Sequence, residues 1–187
     1  KKLENRLKNI SYTIGSTSLV SVFYKHNNKI NYYVANLGDC RGVVCTGNNK
    51  AIALTRDHKP NVDFEKERIH NLGGKIWHDG GDWRVGDLSV SRAFGDMDAK
   101  PYVSHSPEVK KFTLSQSDKF MILACDGLWD VFTNQQAVDF VLNKMKNYSE
   151  ISNIDNKNKN NIAQMLAQEA INKGSYDNVS IVLVFFK

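Results

Sequence analysis

The chain has 187 residues, 41% hydrophobic and 24% charged, with a formal net charge of +5. That length can bury a sizeable core as one domain, and the composition is that of a globular protein rather than a disordered or fibrous one. No apolar run approaches the roughly 20 residues that span a bilayer, no secretory segment precedes the fold, and the spread-out lysines match no nucleic-acid motif, so neither a transmembrane segment nor a nucleic-acid partner is expected.

Residues 1–10 read as an amphipathic helix, with Leu3, Leu7 and Ile10 at helical spacing. An apolar helix face at the first residue, Lys1, predicts either that the polypeptide continues upstream or that a partner covers that face. Ser18 to Tyr24 and Tyr32 to Leu37 read as strands joined by a hairpin turn over Lys25 to Lys29. Arg41 to Thr46 and Ala51 to Leu54 follow as a second pair, and four strands with short turns imply an antiparallel sheet. Asn61 or Asp63 can cap a short helix through Ile69 that Gly73-Gly74 stops. Lys75 to Trp77 and Trp83 to Val90 read as extended, and Ser91 to Ser106, with few periodic signals, as a candidate surface flap. Trp83 and Trp129 are expected in the core.

A strand over Val109 to Leu114 precedes the most apolar run, Phe120 to Cys125, which reads as a strand buried on both faces. Thr133 and Gln136 form a capping box for a helix that puts Val138, Val141, Leu142 and Met145 on one face. Residues 147–160, rich in Asn, Lys and Ser, read as a loop insertion. Ile162 to Lys173 is a second amphipathic helix (Ala163, Leu166, Ala167, Ala170), ended by Gly174, and Val179 to Phe186 is the last strand. The class is α+β, with helices on a mainly antiparallel, two-sheet core. Cys40, Cys45 and Cys125 match no zinc or redox spacing and read as reduced thiols of an intracellular protein, cytoplasmic or nuclear.

Three aspartates sit at the mouths of apolar strands beside Gly or Asn: Asp39 after Tyr32 to Leu37, Asp126 after the central run, and Asp177 before the last strand. One such Asp is a turn residue by default. Three on strands sharing a core point to oxygen ligands for a hard cation such as Mg²⁺ or Mn²⁺. If Asp126-Gly127 begins a helical turn, Asp130 lies on the same side as Asp126. The alternative reading is a strand-end turn with Asp130 as a helix cap.

Eight motifs occur in one order. They are Gly15-Ser16-Thr17, Ala35 to Gly42, Thr55-Arg56-Asp57-His58-Lys59-Pro60, Glu67-Arg68-Ile69 with Gly73-Gly74, and Leu88 to Asp96. Pro107-Glu108-Val109, Leu123 to Asp130 and Gly174 to Ser180 complete the series. From about residue 14 onward the chain resembles the type 2C family of metal-dependent protein serine/threonine phosphatases. The resemblance implies an α-β-β-α arrangement: a two-sheet antiparallel β-sandwich flanked by helices, here incomplete at its N-terminus, as a single domain fragment over 1–187. It implies two Mg²⁺ or Mn²⁺ ions, with a third in a weaker position. Asp126 and Asp177 would be ligands of one catalytic ion, and Asp39 and Asp130, with Asp126, would surround the third. Arg92 would lie by the flap and substrate; its alternative is a structural salt bridge. Asp57-His58 is expected to hold a turn rather than do chemistry.

The implied reaction is attack of a metal-bound hydroxide on phosphoserine or phosphothreonine in a phosphorylated protein substrate. The family's Asp-Gly-His-Gly-Gly segment, which supplies a bridging carboxylate and a leaving-group acid, is absent from this sequence. The expectation is therefore a chain that alone has weak metal affinity and little or no activity, and that self-associates through its truncated face. The rival expectation is a catalytically dead member acting as a regulatory or binding module.

Overall fold

The computed structural model describes residues 12–149 and 159–186. The helix predicted over 1–10 lies outside them. The chain runs β1 (Gly15–Ser16), β2 (Ser18–His26), β3 (Lys29–Leu37), β4 (Arg41–Cys45), β5 (Ala51–Ala53) and α1 (Asp63–Asn71). Next come β6 (Trp77–Asp79), β7 (Asp82–Arg84), β8 (Phe94–Gly95), a 3₁₀ turn (Met97–Ala99) and β9 (Glu108–Thr113). The sequence closes with β10 (Phe120–Ala124), α2 (Asp126–Trp129), α3 (Asn134–Ser149), α4 (Lys159–Asn172) and β11 (Ile181–Phe185). The expected α+β class with antiparallel sheets is what forms.

The first four long strands do not make the single sheet that their short turns suggested. β2 and β3 join β9 in one sheet, whereas β4 and β5 belong to a four-stranded sheet in the order β11-β10-β4-β5. The physical reason is the apolar run at 120–124: β10 needs a neighbour on each edge, and it takes β4 and β11, both antiparallel. The β2–β3 turn is tight because Asn27 and Asn28 both adopt positive φ (48° and 58°), the pair of left-handed residues that a two-residue hairpin requires.

Contacts divide the described chain into two compact units. One gathers residues up to Val22, Tyr33–Cys40 and Arg56–Lys110; the other gathers Phe23–Tyr32, Arg41–Thr55 and the chain from Lys111 onward.

The second unit holds the larger core. Phe120, Ile122 and Ala124 of β10 pack with Val43 and Cys45 of β4, with Trp129 and Phe132, and with the inner faces of α3 and α4. Thr133 caps α3 as expected: its Oγ1 accepts from the Gln136 amide (3.2 Å), and Gln136 Oε1 accepts from the Thr133 amide (2.9 Å). Ala137, Val138 and Val141 are fully buried on that helix. On α4 the seam runs through Ile162, Leu166 and Ala170, with Ala163 and Ala167 only half-buried beside it. α3 continues through 147–149 and α4 begins at 159, so the predicted insertion is shorter than 147–160; 150–158 lie outside the described residues.

In the first unit, α1 is capped by Val62 rather than by Asn61 or Asp63, and no side chain bonds its first turn. Its C-terminus is a Schellman closure: Gly73 has φ +82°, Gly73 N donates to His70 O (2.8 Å), and Gly74 N donates to Ile69 O (2.9 Å). Ile69 packs on Val85, Ala93 and Val103. Ser91–Ser106 is therefore not a loose surface flap. Ser91, Ala93 and Val103 are fully buried or nearly so, β8 pairs with β1, and Ala93 and Ser104 exchange backbone bonds with their neighbours. Trp83 also departs from expectation. It sits on the short β6–β7 hairpin, 40% exposed, while Trp129 is buried as predicted.

Candidate functional site

β10 ends at Ala124, and the chain turns at once into the single helical turn α2. Asp130 N donates to Asp126 O (2.8 Å), which brings residue 130 back over residue 126 as the four-residue spacing predicted. Trp129 anchors this turn: its Nε1–H reaches Ala124 O (3.0 Å) and Arg41 O (3.2 Å), and the Arg41 guanidinium lies 5.2 Å above its ring. Asp126 is half-buried, and its Oδ1 accepts the Gly127 amide (3.0 Å). Asp177 is exposed, and its Oδ1 accepts the Asn178 amide (2.6 Å).

These two carboxylates stand on backbone segments that are stapled together. Cys125 N donates to Ser180 O (3.2 Å), Cys125 Sγ lies 3.1 Å from Asn178 O, and the Ser180 amide reaches Cys125 Sγ at 3.2 Å. Ser175 Oγ donates to Gly127 O (2.7 Å). The approach is so close that a Cβ on Gly127 would fall 2.4 Å from Asn178 O, which only glycine permits. Among the described residues, no lysine or arginine side chain is seen to pair with Asp126 or Asp177. Asp130, in the same unit, is exposed.

The donor set fits a hard divalent cation in part. Each carboxylate has one oxygen tied to its following amide, which leaves the second oxygen able to take an ion, and among the described residues neither is paired with a basic side chain. Among the described residues, however, no three His, Cys, Asp or Glu side chains converge closely enough to hold a metal. Six-fold oxygen coordination of a cation by this pair would draw on further groups.

Asp39 and Arg92 lie in the first unit. Asp39 is buried (4% exposed) in the turn after β3, and Gly38 before it has φ +102°. The turn is held by His58, whose Nδ1 accepts the Gly38 amide (3.1 Å) and whose own amide donates to Gly38 O (3.0 Å). This is the turn-holding role expected of Asp57-His58. Burial, aided by the nearby Arg92 charge, pushes the His58 imidazole down to about 4, so it is neutral at physiological pH.

Arg92 is engaged structurally. Its Nε donates to Glu65 Oε1 (2.8 Å), its Nη2 also pairs with Glu65, and its Nη1 donates to Ser106 O (2.9 Å). Arg68 binds the other oxygen of Glu65 through Nε (3.1 Å) and Nη2 (2.7 Å), and it also reaches Ser91 O and Tyr102 O. Burial alone would raise the Glu65 carboxyl; hydrogen bonds from Arg92, Arg68 and Ser91 outweigh it and hold the group below the usual carboxylate range. Of the two readings for Arg92, the geometry is that of the structural ion pair. Sequence reasoning missed Glu65 as the hub. The i, i+3 spacing of Glu65 and Arg68 was a visible signal; the link to Arg92, 27 residues on, was not.

The model of the family described as protein phosphatase 2C matches residues 1–179. A PP2C-like domain-containing protein of Acanthamoeba polyphaga mimivirus is 46% identical over 170 residues, covering 83% of this chain and 94% of that protein. The Arabidopsis thaliana protein named "Probable protein phosphatase 2C 71" is 46% identical over 155 residues, 82% of this chain but only 31% of its own length. Among solved structures, a serine-threonine phosphatase 2C from Toxoplasma gondii superposes on the whole chain with a TM-score of 0.80 at 30% identity. A C. elegans sex determining protein does so with a TM-score of 0.83 at 28% identity. The chain spans 62% and 44% of these two structures. The family model covers nearly the whole sequence and its relatives share nearly half their aligned residues with it: this chain belongs to the protein phosphatase 2C family.

Proposed function

We propose that the chain is the Asp126/Asp177-bearing part of a protein serine/threonine phosphatase that depends on Mg²⁺ or Mn²⁺. Family membership supports protein phosphatase function. The observation that carries the finer reading is the stapling of the backbone segments that bear Asp126 and Asp177, neither paired with a basic side chain among the described residues, at the mouths of adjacent strands β10 and β11. Carboxylates that face one point repel one another, and a divalent cation would relieve that repulsion.

Asp126 and Asp177 would hold one ion through the oxygens that their following amides leave unbonded. Asp39 and Asp130 are proposed as further ligands. When bound, the cations supply Lewis-acid stabilisation of phosphate oxygens and lower the pKa of water from about 15.7 toward 7. The chain's own part is positioning. Trp129, Ser175 and Gly127 fix where the two carboxylates stand, and the net positive charge of +5 favours approach of phosphorylated proteins. Cys125 serves as a hydrogen-bonding staple rather than a nucleophile, and all three cysteines are free thiols, which fits an intracellular protein. Among the described residues no helix is long and apolar enough to cross a membrane.

The test is hydrolysis of a phosphoserine or phosphothreonine peptide by the full-length protein with Mn²⁺, with Asp126→Ala as control. Metal-dependent turnover abolished by the substitution supports the reading; turnover indifferent to EDTA or to Asp126→Ala overturns it. Because no three-ligand group exists among the described residues, the 187-residue chain by itself is proposed to bind Mn²⁺ weakly and to turn over little. The same observation favours a second reading, a catalytically inert binding module. Full-length protein that folds, lacks turnover and still binds a phosphoprotein would establish it.

A further inference from the structure

The turn that presents Asp39 is gripped from two sides. On one, Gly38 packs so tightly on Thr17 that a Cβ would fall 2.3 Å from Thr17 Cγ2, and its φ of +102° suits only glycine. On the other, His58 takes both polar groups of Gly38, its ring accepting from the amide and its own amide donating to the carbonyl. Asn36, 1% exposed, adds a third tie through Nδ2 to Gly38 O (3.0 Å) and Arg56 O (2.9 Å). A backbone amide can only donate, so Nδ1 of His58 is the unprotonated nitrogen and the ring proton sits on Nε2. That nitrogen, on a side chain 0% exposed, has no partner among the described residues, and neither has Asn36 Oδ1. A donor and an acceptor left over around one knot of backbone are what a buried water satisfies.

We propose that His58 is a positioning residue for Asp39: held as the Nε2–H tautomer, with a buried water completing Nε2 and Asn36 Oδ1, it fixes the Gly38-Asp39 turn in the geometry that a metal ligand needs. The proposal rests on the reading of Asp39 as a ligand. Groups that orient metal ligands change metal affinity by about 10–100-fold when removed. Two substitutions separate the functions of the ring. In His58→Asn, Oδ1 takes the place of Nδ1 and keeps the acceptor for Gly38. In His58→Gln, the remote amide keeps a donor near Nε2, but the Gly38 amide loses its acceptor.

The experiment uses ¹⁵N NMR of the 187-residue chain, with Mn²⁺ as probe, because paramagnetic broadening registers even weak binding. The expected results are a nitrogen–nitrogen coupling across the Gly38–His58 hydrogen bond and the Nε2–H tautomer. Broadening at the Asp39 amide should need about 10-fold more Mn²⁺ in His58→Gln, and within about 3-fold of the unsubstituted amount in His58→Asn. A protonated Nδ1, or equal loss in both variants while the unsubstituted chain binds, overturns the positioning role alone. No broadening at Asp39, Asp126 or Asp177 in the unsubstituted chain overturns the metal reading, and this role with it. If His58→Gln does not fold, the coupling, the tautomer and the response of His58→Asn still decide.

Discussion

Replacing Glu65 by glutamine removes the one negative charge that two arginines share inside the first unit. The Glu65 side chain is 0% exposed, and those of Arg92 and Arg68 are 16% and 25% exposed. Breaking a buried pair on one side leaves charge without its counter-charge, at a cost of about 3–5 kcal/mol. The backbone carbonyls of Ser91, Tyr102 and Ser106 retain part of the arginines' bonding and keep the loss inside that range. With a urea slope of about 2 kcal/mol/M, a loss of about 4 kcal/mol moves the unfolding midpoint down by about 2 M. The effect has a sign in pH. Because the folded carboxyl titrates below its ordinary 4.5, the stabilisation is complete above that value and fades as pH falls through the folded one. Urea titrations of the two proteins at pH 7 and pH 3 read both statements. A difference under about 1 kcal/mol at pH 7 is what a surface pair yields and would refute the hub.

Three further outcomes follow from the same packing. His58, neutral in the fold with its imidazole near 4 against an ordinary 6.5, makes stability fall as pH drops from about 6.5 to about 4, because the unfolded chain takes up the proton first; a shift of that size corresponds to about 3 kcal/mol, and His58→Asn flattens that part of a pH–melting profile. Gly127→Ala drives a methyl into Asn178 O and costs about 1–3 kcal/mol by urea titration, while parting the two carboxylate loops. Phe120→Ala, at the start of the central strand and 0% exposed, costs about 3–5 kcal/mol, and a loss below about 1 kcal/mol would mean that the β10 core does not carry the unit.

What could be read from the residues was whatever short-range chemistry determines. The Thr133/Gln136 cap, the Gly73-Gly74 and Gly174 stops, and the buried run at 120–124 are local patterns, and each forms. The return of Asp130 over Asp126 is likewise fixed by helical spacing. What escaped depends on partners far along the chain. β4 lies beside β10, some 80 residues away in sequence, so the hairpin pattern could not assign it to a sheet. Ser91–Ser106 looked irregular because its order comes from Ile69 and Arg68 on α1 rather than from its own periodicity. Trp83 looked like core because it is large and apolar, yet on a three-residue hairpin strand its ring meets only the edge of His78 (5.3 Å) among the described aromatic rings and stays exposed. At the candidate site, the position of the aspartates at strand ends is visible in the sequence, whereas the Cys125/Ser175 staple that ties the backbone segments of Asp126 and Asp177 to each other is not.

The most direct measurement is Mn²⁺-induced paramagnetic broadening, compared between the unsubstituted chain and its Asp126→Ala and Asp177→Ala variants. Selective loss of the amide signals around residues 125–130 and 175–180, abolished by either substitution, is the predicted result. Signals there that remain sharp at millimolar Mn²⁺, or that broaden equally in the variants, would contradict it.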